Sequence, residues 1–121
     1  MTATAHAAPA SSSAPGATSR ADAIVAALRA IVDGPALAVE AHVLRHGWRD
    51  ALPQLHALRE ALKATGAFAP HLPPDLGGPG LSLVEFARVS EVLGRTPVGH
   101  WLANCQAPDI GNMELLHAHA S

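Results

Sequence analysis

The sequence predicts an all-α fold, and three observations carry that expectation. Apolar residues recur every three or four positions in successive stretches, each opened by a capping residue or proline and closed by glycine. Nothing between Ser19 and Ser121 alternates with period two for long enough to make a strand. Aromatic residues make up only 3% of the chain, so Leu, Val, Ile and Ala must fill the core, which suits closely packed helices.

The chain opens on a different composition. Met1 to Ser19 is almost entirely Ala, Ser, Thr, Pro and Gly, which bury too little apolar surface to offset the entropy of ordering a backbone. Residues 1–19 are therefore expected to form a disordered tail, and residues 20–121 a helical bundle. A secretory signal would need a positive start and an apolar run before Ile24, and neither is present. A transit peptide shares the Ser-rich, acid-free character, with Arg20 as its single basic support.

Ser19 suits the cap of a first helix from about Arg20 to Val32, with Ile24, Val25, Leu28, Ile31 and Val32 as its apolar face and Gly34 as its stop. Pro35 fits the first turn of a second helix, reaching about His46 and carrying Leu37, Val39, Val43 and Leu44. Beyond Gly47 a third runs from Trp48 to Thr65, with Leu55, Leu58 and Leu62 on its stripe and Gly66 closing it. Pro53 marks either its true first turn or a kink.

A long loop follows. Four of the five residues from Leu76 to Gly80 are Gly or Pro, so the backbone can take angles closed to other residues while its prolines limit its wandering. Ser82 and Glu85 then form a Ser-x-x-Glu capping box, and Gly94 and Pro97 end the helix it starts. Leu83, Phe86, Ala87 and Leu93 fall on one stripe, widened by Val89 and Val92. Glu85, Arg88, Glu91 and Arg95 line the opposite face, with Glu91 four residues ahead of Arg95 in the order that favours an ion pair. A last helical region spans Val98 to His119, broken near Pro108.

Net charge is −2, and the eight basic residues are scattered, which argues against a nucleic-acid surface. No apolar run is long enough to cross a bilayer. The single cysteine, Cys105, rules out an internal disulfide and fits a reducing compartment. His42 and His46 share a helix face, but without Cys-x-x-Cys or His-Glu-x-x-His spacing a metal site is not expected. Cys105 and His100 fall on different sides of a helix, which argues against a nucleophile and base. The glycines from Gly77 to Gly80 do not make a phosphate loop, because Pro79 lacks an N–H and no Lys follows. Trp48 and Trp101 are expected to anchor packing.

Three segments taken in order carry a family resemblance. Gly66-Ala-Phe, then Leu72-Pro-Pro-Asp-Leu-Gly-Gly-Pro-Gly-Leu-Ser-Leu-Val-Glu, then Glu91-Val-Leu-Gly-Arg-Thr-Pro resemble the N-terminal helical domain of the flavin-dependent acyl-CoA dehydrogenases. Asn104-Cys-Gln-Ala-Pro-Asp-Ile-Gly-Asn-Met-Glu-Leu-Leu resembles the branch whose longer members can be fused to a phosphotransferase-like kinase domain. The resemblance covers roughly Ala36 to Ser121.

That resemblance implies an N-terminal helical domain that works beside a middle β-domain and a C-terminal helical domain, neither of which is expected within these 121 residues. It implies FAD, held mostly by residues outside this chain, and α,β-dehydrogenation of an acyl-CoA to a 2-enoyl-CoA. The family's catalytic base belongs to the C-terminal part, so no residue here is assigned a catalytic role. The segment matching Leu102 to Met113 runs along the acyl chain in relatives, which makes Leu102, Ala103, Gln106 and Ile110 the candidate substrate residues, with Gly111 allowing close approach.

The implied partners are the acyl-CoA substrate, the remaining domains, and an electron-transfer flavoprotein or similar acceptor, with a homo-oligomer once complete. The setting is cytoplasmic, or mitochondrial in a eukaryote. Alone, the chain is expected to be inactive; the alternatives are a stand-alone helical interaction module and a non-functional truncated remnant.

Overall fold

The computed structural model describes residues 19–121, and all its regular elements are helical. The expected disordered tail lies outside the described residues, apart from Ser19. Six α-helices follow in order: α1 Arg20–Val32, α2 Pro35–His46, α3 Trp48–Lys63, α4 Leu83–Leu93, α5 Gly99–Leu102 and α6 Asp109–His119.

The helix ends follow from local chemistry. Ser19 Oγ accepts the Asp22 N–H at 3.1 Å while the Asp22 carboxylate accepts the Ser19 N–H at 3.2 Å, a complete capping box on α1. Ser82 and Glu85 build the same device on α4, at 3.2 and 2.8 Å. Helix α3 begins at Trp48 and continues through Pro53, so that proline lies inside the helix rather than in its first turn.

Helix α1 packs on α4 and α2 packs on α3; α1 also touches α2 and α3, and short α5 lies against α3 and α4. Leu28, Leu55, Leu62, Leu93, Val98 and Leu102 are fully buried in the shared core. Each such side chain contributes about 1.5–3 kcal/mol relative to exposure, so these contacts rather than helix propensity hold the bundle.

Three details depart from the sequence reading. On α4 the buried face is Val89, Val92 and Leu93, while Leu83 and Val84 are 82% and 74% exposed and Ala87 is exposed as well. The C-terminal half of α4 is what docks, and its first turn overhangs. Arg95 pairs with Asp33 at the end of α1 at 3.0 Å instead of with Glu91, and Arg88 reaches Asp22 at 2.6 Å. On α2, Leu37 and Leu44 face outward, because the contact with α1 and α3 uses Ala36 and Val39.

The Pro/Gly loop is closed on itself. Around a single 3-10 turn, Pro74–Leu76, the Gly78 N–H reaches Pro73 O at 3.0 Å and the Gly77 N–H reaches Pro74 O at 3.0 Å. A Cβ at Gly78 would lie 1.9 Å from Leu72 O, so no other residue fits this turn.

Candidate functional site

The candidate segment, residues 102–110, leaves the core at the end of α5. That short helix sits close to α4, since a Cβ on Gly99 would lie 2.0 Å from Leu93 O. Leu102 and Ala103 are completely buried and belong to the core cluster. Gln106 is half-buried, and so is Ile110, which packs against the core from the first turn of α6. The four candidate residues therefore divide into two inner ones and two that reach the surface.

Between them the backbone makes a sharp exit. Asn104 has φ of 56°, in the left-handed region, where its short polar side chain is tolerated. The Asn104 N–H reaches Trp101 O at 3.2 Å, the Cys105 N–H reaches His100 O at 3.0 Å, and the Ala107–Pro108 bond is cis. The loop before α4 ties in here: Ala69, itself at φ 49°, donates its N–H to Ala103 O at 2.8 Å.

Arg59 of α3 was not singled out by sequence reasoning, yet it reaches the same point. Its guanidinium carbon lies 3.7 Å from the Trp101 ring centroid, and its Nη2 donates to Trp101 O. Trp101 in turn meets Trp48 edge to face at 5.4 Å, with His56 5.5 Å away on a similar edge, so both tryptophans anchor this packing. Only the position of Arg59 beside the Leu55, Leu58, Leu62 stripe hinted at partial burial.

The other chemistry is quiet. Burial pushes the Cys105 thiol up to about 12, which leaves it protonated and inert. His100 Nε2 hydrogen-bonds Ser90 Oγ at 2.9 Å rather than the thiol. Among the described residues no group of three His, Cys, Asp or Glu side chains is placed to hold a metal ion. His42 instead meets Asp50 at 2.6 Å across the α2–α3 turn.

Two grooves mark the surface. One of about 290 Å³ lies between α1 and α4, lined by Arg29, Glu91, Val92 and Arg95. The other, about 220 Å³, is lined by His71, Leu81, Ser82, Leu83, Phe86 and Glu114. Both fall below the ~300–1,000 Å³ of sites that enclose drug-sized ligands, and a flavin dinucleotide is larger still. Neither of these two grooves fits FAD. No helix of the described residues is long and apolar enough to cross a membrane.

Part of the chain is similar to known proteins. The chain is 39% identical over 69 residues to the mouse protein "Acyl-CoA dehydrogenase family member 10", a match covering 53% of this chain and 6% of that one. It is 40% identical over 67 residues to the rat "Acyl-CoA dehydrogenase family member 11" and 41% identical over 64 to the human one, covering 55% and 53% of this chain. This polypeptide is related to the acyl-CoA dehydrogenases. The matches span only 6 to 8% of these relatives' length. No family model matches this chain, and no solved structure does.

Proposed function

We propose that residues 20–121 are an N-terminal helical domain of an FAD-dependent acyl-CoA dehydrogenase, supplying one wall of the acyl pocket for α,β-dehydrogenation of an acyl-CoA. Gln106 and Ile110 form its outward part, and Leu102 and Ala103 back them from the core. The observation that carries this reading is the exit from the core after Ala103 into α6, a helix that buries none of its own residues, beside a sequence related to that family. Beyond Ile110, which packs on the core, α6 leaves Leu115 and Leu116 exposed, an apolar face that a further surface would cover.

In this reading the flavin and the catalytic carboxylate come from other domains, and electrons pass to an electron-transfer flavoprotein or similar acceptor. The complete enzyme is a homo-oligomer in the cytoplasm, or in mitochondria of a eukaryote.

Mixing the purified chain with separately expressed flavin-binding and C-terminal domains of a relative tests it. Flavin retention and acyl-CoA-dependent dye reduction should both require the chain, and Ile110→Asp should raise KM at least about tenfold by placing a charge against the acyl chain. Turnover by the chain alone, or no association with the flavoprotein domains, overturns the reading. In the second case the same bare face belongs to a stand-alone interaction module or to a remnant.

A further inference from the structure

Helix α3 holds a cation where the candidate wall leaves the core. Trp101 O is the carbonyl that closes the turn at left-handed Asn104, accepting its N–H at 3.2 Å, and Arg59 Nη2 donates to that same oxygen. The Arg59 guanidinium lies flat enough on Trp101 to bring its carbon to 3.7 Å from the ring centroid, and it also approaches Phe68 at 5.9 Å. Its Nε is buried without a hydrogen-bond partner.

No carboxylate within ion-pair distance neutralises it among the described residues; the acids whose charge reaches it are Glu60 on its own helix and Asp109, the first residue of α6. A guanidinium partly withdrawn from water for a single carbonyl and one indole face is costly, and Leu or Met would pack there more cheaply. What the arginine adds is geometry. It touches α5 through the Trp101 ring, the turn through the Trp101 carbonyl, and the Phe68 segment whose next residue, Ala69, bonds Ala103 O.

We infer that Arg59 is a positioning residue: by stacking on Trp101 and bonding its main-chain carbonyl, it fixes the turn at Asn104 and thereby the placement of Gln106 and Ile110. The clamp follows from contacts within this chain, whereas its use for an acyl substrate rests on the function proposed above. It acts through the turn and touches no reacting atom.

Amide hydrogen exchange on the chain alone separates the two. Arg59→Met keeps an apolar stem over the indole and removes the donor. It should speed exchange at the Asn104 and Ala69 amides by about tenfold or more, the size of a lost charged hydrogen bond, while Leu28 and Leu93 amides stay at wild-type rates. Arg59→Lys keeps the charge but not the planar stack together with the carbonyl bond. It should give the same local loosening, and it carries the test if the Met variant does not fold.

Acceleration spread evenly over α1 to α5, or wild-type exchange at the turn, overturns the clamp. In the reconstituted mixture both variants should raise KM for acyl-CoA several-fold with kcat within about twofold. Equal losses in kcat and KM would remove the positioning role. If the wild-type mixture itself shows no turnover, the function proposed above fails while the exchange result still decides the clamp.

Discussion

Helices α4 and α6 are both 11 residues long, yet one is part of the core and the other is not. The difference lies in how far each apolar stripe runs. On α4, Phe86, Val89 and Leu93 succeed one another at spacings of three and four, and Val92 widens the face that meets α1. On α6 the same spacing gives Ile110 and Met113, and then His117. Two apolar residues cannot seat a helix, so Leu115 and Leu116 remain 60% and 62% exposed. α4 also has a filled capping box, whereas α6 starts at Asp109 with Pro108 before it and no side-chain cap. Burial of a helix in this bundle thus depends on a third stripe position rather than on length or overall apolarity.

The largest expected effect breaks this comparison outright. Leu93→Ala should cost about 2–5 kcal/mol in urea denaturation, because a fully buried leucine leaves a cavity that close-packed neighbours fill only in part. Leu116→Ala should change stability by no more than about 0.5 kcal/mol. Comparable losses from the two variants would mean that α6 is docked after all and that the contrast is false.

Much of this arrangement was legible from sequence because it is local. Ser19 and Ser82 each precede an acid by three residues, and the starts of α1 and α4 follow from that chemistry alone. The rotation of α4 was not legible, since Leu83 and Leu93 lie on one stripe and only the position of α1 decides that Leu93 is covered and Leu83 is not. Likewise Glu91 and Arg95 satisfy the helical spacing for a pair, but Asp33 at the end of α1 offers Arg95 a closer partner. In the candidate segment the apolar character of Leu102 and Ile110 was readable. That one is core and the other reaches the surface was not, because the exit depends on a left-handed Asn104 and on Arg59, which is 42 residues away from Trp101.

An intermediate effect sharpens the contrast at the helix ends. Ser82→Ala should cost about 1 kcal/mol, and Ser19→Ala a similar amount, because each removes an acceptor for an otherwise unpaired first-turn N–H. The loss should persist in high salt, unlike that of the exposed Arg95–Asp33 pair. A Ser82→Ala variant with wild-type stability would show that packing of Val89 to Leu93 holds α4 without help from its overhanging first turn.

The smallest expected effect is a drift with pH, and its sign distinguishes the buried side of the bundle from its rim. Burial depresses His100, and it depresses His71 despite the opposing charge of Glu114. For both, the unfolded chain takes up a proton at a higher pH than the native one does. Their contribution is therefore complete above about 6.5 and is lost progressively as pH falls from there toward their lower native values. On the rim, the Arg88 hydrogen bond, followed by those from Ser19, holds the Asp22 carboxyl below its ordinary 3.8. Its contribution is present above 3.8 and goes only as pH falls through the lower native value. The melting temperature should accordingly decline in two separate windows, and His100→Asn should shrink the upper one, leaving the share of His71, without touching the lower one, because His100 meets Ser90 between α4 and α5 and lies far in sequence from the α1 cap. If His100→Asn flattened the lower window instead, the acid sensitivity of the buried side would not lie in the α4–α5 contact.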